Sequence, residues 1–363
     1  MKDKIFIVIF LLVVFINSSA NSQSGKLDFS SVPGIVLEHS PASSGVYLGS
    51  PSIEVLPNGH YVASCDLFGP GYKDKMSTVP IYSSSDKGET WNKITEIKNM
   101  YWSKLFYHNE ALYLVGVKGI AGNIAVRKST DSGLSWTEPV DEFNGLITKD
   151  TGYHTAPMPI IIHNNRVWKA IEHNDTTFSS GWIKKNYSFV MSAPVNADLL
   201  KASNWTFSDK MLAPGWNTGF PWLEGNPVVT PKGKIAVINR VHSNNDDTAS
   251  YYEVTDDGKF IDKNSLKMIH LPGACKKFNI RYDKKTKLYW SLTNHSPKKL
   301  RGINHVERTR STVALIYSKD LINWKIKAIL LSHPDVVYVG FQYLDWFIEG
   351  NDIVALCRTA YHD

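Results

Sequence analysis

The chain has 363 residues, 43% hydrophobic and 20% charged, with 24 Gly and 17 Pro, a globular composition that excludes disorder, collagen and long coiled coil. Its 40 Lys and Arg against 34 Asp and Glu leave a dispersed charge of +6, which favours acidic ligands; no basic block or helical recognition unit points to nucleic acid. The 11 Trp and 17 Tyr suit strands and sugar-binding clefts.

The chain opens with Lys2 and Lys4, an apolar run from Ile5 to Ile16, and Asn17-Ser18-Ser19-Ala20. This order of charged, apolar and small residues predicts a secretory signal over 1–20, cut after Ala20. The run is too short to span a bilayer, and no Cys follows the cut to carry a lipid. Residues 21–363 are therefore expected to form one domain, secreted or periplasmic, free of the membrane and monomeric.

From there one unit recurs: an apolar run, a tight polar turn and a second apolar run. It covers 52–65, 103–116, 158–171, 226–239, 277–292 and 343–356. Asn58-Gly59 is a strong hairpin turn, and Lys232-Gly233 and Gly350-Asn351 are acceptable ones. The second runs, such as Ile235-Ala236-Val237-Ile238, are apolar on both faces, as in strands packed between neighbouring sheets. Helical spacing is scarce. The turn centres lie roughly 50 to 70 residues apart, near the spacing of propeller blades.

A second motif follows two of these hairpins. Residues 84–91 and 129–136 both read S-x-D-x-G-x-x-W, with looser echoes at Asp198–Trp205, Asp256-Asp257-Gly258 and Ser318–Trp324. The motif resembles the Asp-box, or BNR, repeat of sialidase-like propellers. In it Asp86 and Asp131 accept N–H bonds across a turn, Gly88 and Gly133 allow the left-handed backbone, and Trp91 and Trp136 pack between blades. These residues are structural. The expected fold is an all-β β-propeller of four-stranded antiparallel blades, six in number, the last incomplete. Gly34 to Glu38 reads as a strand closing the circle, and a missing third strand after Val339–Arg358 predicts a chain truncated at its C-terminus.

In this arrangement the starts of first strands and the ends of second strands share one face. That face collects Ser50, Trp102, His154, Glu224, Asn226, Lys276, Lys277 and Gln342, with Asp66, Glu172, His173, Arg240, His242, Asn294 and Arg358. Arginine pairs with carboxylates and aromatic rings stack on sugars, so the set suits an acidic glycan. Glu224, beside Trp222, is a candidate general acid or base. His154 is a second proton-transfer candidate, and with Tyr153 it would suit a polysaccharide lyase. His39 and Tyr47 lie in the lead-in to the first blade. Lys298, Lys299, Arg301, Arg308 and Arg310 form a basic stretch that reads as a solvated loop or a steering surface.

Sialidases carry an arginine triad whose first member lies in a motif like Y-R-I-P-S. Here Leu48-Gly49-Ser50-Pro51-Ser52 stands at that place, so glycine replaces the arginine, and no nucleophilic Tyr with a Glu partner is located. Longer segments, among them HSPASSGVYLGSPSIEVLPNGHYVAS, YHTAPMPI, WLEGNPVVTPKGKI and HPDVVYVGFQYLDW, resemble exported bacterial propellers that include the glycoside hydrolase family 145 α-L-rhamnosidases, related to ulvan lyases. That resemblance implies seven blades, a rhamnose–uronate substrate and a single catalytic histidine, which His39 resembles. Arg240 and Arg358 would then bind a carboxylate, with Tyr47, Asp66, Trp102, Tyr153, Lys276 and Gln342 as further sugar contacts. The reading is a glycoside hydrolase of acidic polysaccharide or oligosaccharide, with exo-sialidase, uronate lyase or a non-catalytic glycan-binding propeller as alternatives. Cys65, Cys275 and Cys357 are too few and too widely spaced for a disulfide framework, and no zinc pattern exists, so neither metal nor cofactor is expected.

Overall fold

The computed structural model describes residues 28–73, 77–174, 186–214, 221–243 and 245–362; the secretory pattern of residues 1–20 lies outside them. Each recurring unit folds as a hairpin because its turn residues accept positive φ. Asn109-Glu110 and Asn164-Asn165 are left-handed at both positions, and Gly59 has a φ of 84°, so the turn twist matches that of the flanking strands.

The first sheet runs in the order β1 (Tyr47–Val55), β2 (Tyr61–Phe68), β3 (Thr78–Ser84) and β4 (Asn92–Lys98). The second has β5 (Tyr101–His108), β6 (Ala111–Lys118) and β7 (Asn123–Ser129). Residues 145–147 lie beside β7 through an Ala125–Leu146 bridge and backbone bonds to Ile124 and Val126. In the third, β8 (Tyr153–His154) and β9 (Ile161–His163) share one side of β10 (Arg166–Asn174). Next comes β11 (Asn186–Pro194), which pairs with both β12 (Thr206–Phe207) and β13 (Met211–Leu212). The fourth sheet holds β14 (Trp222–Val229), β15 (Ile235–Val241), β16 (Thr248–Val254) and β17 (Ile261–His270). The fifth holds β18 (Asn279–Asp283), β19 (Leu288–Thr293), β20 (Thr312–Ser318) and β21 (Trp324–Ser332). A hairpin of β22 (Val339–Glu349) and β23 (Asp352–Tyr361) follows and packs on β1. The fold is an all-β propeller, but the expectation of six four-stranded blades is corrected: five sheets have three to six strands each, and the hairpin has two. Gly34 to Glu38 forms no strand; Val36 and Leu37 pack against the hairpin and the first sheet instead.

The apolar core lies between sheets. Clusters join each sheet to its neighbour, and the one formed by Leu48, Ile53, Ala63, Val354 and Leu356 joins the hairpin to the first sheet. The two full S-x-D-x-G-x-x-W segments make the same turn. Asp86 accepts from Thr90 N and Asp131 from Ser135 N, both at 2.9 Å, and Trp91 and Trp136 donate to the carbonyls of Gly88 and Gly133. The Thr90 hydroxyl and N–H hold Asp86 down at about 2. Trp91 and Trp136 then border the inter-sheet clusters.

Along the axis, one innermost strand caps a backbone N–H of another. Ser52 Oγ accepts from Leu105 N, Asn226 Oδ1 from Ile280 N and Asp345 Oδ2 from Ile53 N, all at 2.9 Å. Asp345 also receives Lys104 Nζ at 2.6 Å and Asn279 Nδ2 at 2.9 Å, and is fully buried. A buried ion pair of this kind contributes little net energy when intact and is expensive to break.

Candidate functional site

Two residues before each of four axial residues, the innermost strand bulges. The register skips between Gly49 and Ser52, Tyr101 and Lys104, Leu223 and Asn226, and Gln342 and Asp345. In each bulge one non-glycine residue is left-handed: Ser50 (φ 47°), Trp102 (53°), Glu224 (51°) and Tyr343 (56°). Such a backbone is unfavourable for these side chains, and bulges of this type re-aim a side chain out of the ladder. The fold thus turns four side chains toward one end of the axis.

Each bulge is backed by its second strand, where Asp66 pairs with Gly49, Arg240 with Leu223 and Arg358 with Gln342. Asp66 accepts the Trp102 N–H at 2.8 Å. Burial drives its carboxyl up to about 7, against the opposing bonds from Ser50 and the Trp102 N–H. Trp102 lies over His154 with ring centres 4.5 Å apart, and His154 Nδ1 meets Glu172 at 2.9 Å. Glu224 binds Arg240 at 3.1 Å, and Glu307 approaches the same guanidinium at 3.7 Å while also pairing with His242.

The Tyr343 ring is flanked by two guanidiniums, Arg358 at 4.7 Å and Arg310 at 5.3 Å. Both donate to the Gln342 side-chain oxygen, at 2.5 and 2.6 Å. Among the described residues neither has a carboxylate partner. Burial lowers Arg358 to about 10, a sign that its charge is poorly solvated. Below Tyr343, buried Lys277 donates to the carbonyls of Leu344 and Tyr343, and burial brings its ammonium down to about 8.

The structure therefore brings together Asp66, Trp102, His154, Glu224, Arg240, Gln342 and Arg358 from the sequence reading. Others sit apart. Tyr153 alternates with His154 on β8, so its side chain faces the opposite side, where it packs on His173 and binds Asp150. The Tyr153–His154 pair of the lyase reading is not assembled. Lys276 is turned to Asp246 and Ser296 beside a cavity of about 560 Å³, while its neighbour Lys277 takes the inward place. Tyr47 is 38% exposed against Phe68. His39 packs on Phe29 at 5.2 Å, and its Nε2 is buried without a hydrogen-bond partner. Arg240 is committed to Glu224, so Arg310 and not Arg240 pairs with Arg358 at the open charge.

Tyr343 was not singled out in the sequence, and Arg310 was named only as part of the basic stretch. A signal existed for the first: each bulge residue precedes its axial residue by two, so Asp345 would have pointed to Tyr343 where the hairpin alignment gave Gln342. Arg310 was hidden in the basic loop. Cys65, Cys275 and Cys357 are buried and unpaired.

No protein-family model and no curated protein sequence matches the chain. Solved structures of similar fold include the Penicillium chrysogenum α-L-arabinanase complexed with arabinobiose. It is 15% identical with a TM-score of 0.53, over 84% of this chain and 85% of that one. The α-L-arabinofuranosidase Arb93A from Fusarium graminearum is 13% identical at a TM-score of 0.56, over 84% and 85%. Trypanosoma rangeli sialidase in complex with sialic acid is 15% identical at 0.55; the match covers 86% of this chain but 52% of that longer one. At such identities the likeness establishes the propeller fold alone.

Proposed function

We propose that the protein is an exported glycoside hydrolase acting on glycans that carry a carboxylate. The observation that carries this reading is the pair Arg310 and Arg358, two guanidiniums beside Tyr343 that share one neutral acceptor. Two positive charges with no carboxylate partner among the described residues, Arg358 poorly solvated by burial, favour an anion that can accept bidentate bonds. A sugar carboxylate has that geometry.

The surrounding groups supply the rest of the chemistry. A neutral phenol is a suitable nucleophile toward an anionic sugar, because a carboxylate nucleophile would be repelled; sialidases use a tyrosine in this way. Tyr343 Oη would attack the anomeric carbon, its proton passing to Glu224 as the bond to the leaving oxygen breaks. Asp66, kept protonated up to about 7, would give its proton to that oxygen. Water then reverses both transfers and regenerates Tyr343 and Asp66. Trp102 offers an aromatic face to the sugar. Gly49 stands where sialidases carry an arginine, so the acidic sugar class is assigned more widely than sialic acid, and rhamnose linked to a uronate falls within it. The mature fold resembles hydrolases of neutral arabinose oligomers as well, which makes substrate charge the point to test.

A second reading, the single-histidine route through His39, is favoured by its buried, unpartnered Nε2. One incubation series separates these readings. Sialylated, rhamnose-capped uronate and neutral arabinose oligosaccharides are supplied in parallel, and free sugar and unsaturated uronate are measured. Release from an acidic substrate that disappears in Tyr343→Phe but survives in His39→Ala supports the first reading. Loss in His39→Ala with retention in Tyr343→Phe supports the second. Cleavage of the neutral oligomer alone refutes both.

A further inference from the structure

Glu172 stands at the end of β10, 1% exposed, and its two carboxylate oxygens go to different sheets. One meets His154 Nδ1 at 2.9 Å; the other accepts the Gly225 N–H at 3.1 Å. Gly225 directly follows Glu224 in the β14 bulge. A Cβ at Gly225 would lie 2.8 Å from both Ala170 Cβ and Asn239 Oδ1, and 2.9 Å from Val237 Cγ1. Glycine thus lets the backbone come close enough for Glu172 to reach it. The strand ladder does not need either bond, because Glu172 already pairs with His154 and Ser188 through its backbone.

We propose that Glu172 is a positioning residue for the site, fixing the tautomer of His154 and the bend that presents Glu224. A carboxylate only accepts, so the imidazole nitrogen facing it must be the one that carries the proton. Trp102 packs on the same imidazole, which leaves its orientation set from two sides. The kinetic part of this proposal rests on the glycosidase reading; the tautomer part does not.

The test uses Glu172→Gln, which is isosteric. Its amide oxygen must stay on the Gly225 N–H, since that donor cannot change. The amide nitrogen then faces His154 Nδ1 and forces the opposite tautomer. Nitrogen NMR of the imidazoles under alkaline conditions, with His154 assigned by its absence in His154→Ala, is expected to show that exchange. His154 supports Trp102, whose N–H binds the proposed acid Asp66, so on the acidic oligosaccharide that the wild type cleaves kcat should fall about 10- to 100-fold with KM changed less than about threefold. The Glu172→Gln/His154→Ala double variant should be no slower than His154→Ala alone. An unchanged tautomer overturns the proposal whatever the substrate, and so do additive losses in the double variant. If the wild type cleaves no acidic glycan, the glycosidase reading falls and the NMR result alone decides the role of Glu172.

Discussion

Asp66 is a carboxylic acid whose behaviour is set by dehydration more than by neighbours. Desolvation moves it from 3.8 to about 7, so the folded protein binds an extra proton between about pH 4 and pH 7. Stability should therefore fall as pH rises through that window and level off above it. Asp66→Asn should remove the slope in denaturant titrations at pH 5 and pH 8. In the proposed hydrolysis it should also lower kcat about 10²- to 10⁴-fold, the range for losing a general acid, and abolish the alkaline limb near pH 7. Lys169 has the opposite sign. Burial lowers it from 10.5 to about 7, so the unfolded chain holds the extra proton and stability rises between those values. Lys169→Met should be more stable than wild type at pH 6, with the gain vanishing near pH 10; equal stability at both pH values would contradict this. Replacing Arg358 by Ala should raise KM for an acidic glycan roughly 10- to 100-fold, about 1.4 to 2.8 kcal/mol, and leave a neutral one unaffected.

At the scale of elements, the hairpins were legible because their turns carry Asn-Gly and similar residues between apolar runs. The third sheet was less so. Its innermost strand, expected to start at His154, is broken into β8 and β9, since Pro157 and Pro159 cannot donate to a ladder. The second sheet was expected to end in a strand, yet residues 145–147 merely lie beside β7 after Pro139. Bulges left the weakest trace: nothing in the identity of Trp102 or Tyr343 announces a left-handed backbone, and a slip of one position moved attention from Tyr343 to Gln342. The turn residues are easier to place. Asp86→Ala and Asp131→Ala should each lower the denaturation midpoint while kcat stays at the wild-type value. A large loss of kcat in the folded variants would assign those turns a role in the chemistry.

For the molecule as a whole, Asp345 joins the hairpin β22–β23 to strands on three sheets through Ile53, Lys104 and Asn279. Asp345→Ala would strand the Lys104 ammonium, 3% exposed at its side chain, and should destabilise by about 3–5 kcal/mol. Pairing it with Lys104→Met should recover part of that loss, and purely additive costs would show the two residues to be uncoupled. The circular arrangement was readable from the repeats; this polar hub was not, because its members are distant in sequence and each looks like an ordinary strand residue.

The same hairpin that carries Asp345 also carries Tyr343, two positions away. An intermediate in which the other sheets have docked but this one is still loose would lack the proposed nucleophile and Arg358, one of the two arginines that share Gln342. Such a species would be chemically silent, so activity regained during refolding should lag behind the gain of sheet structure and report the final docking event.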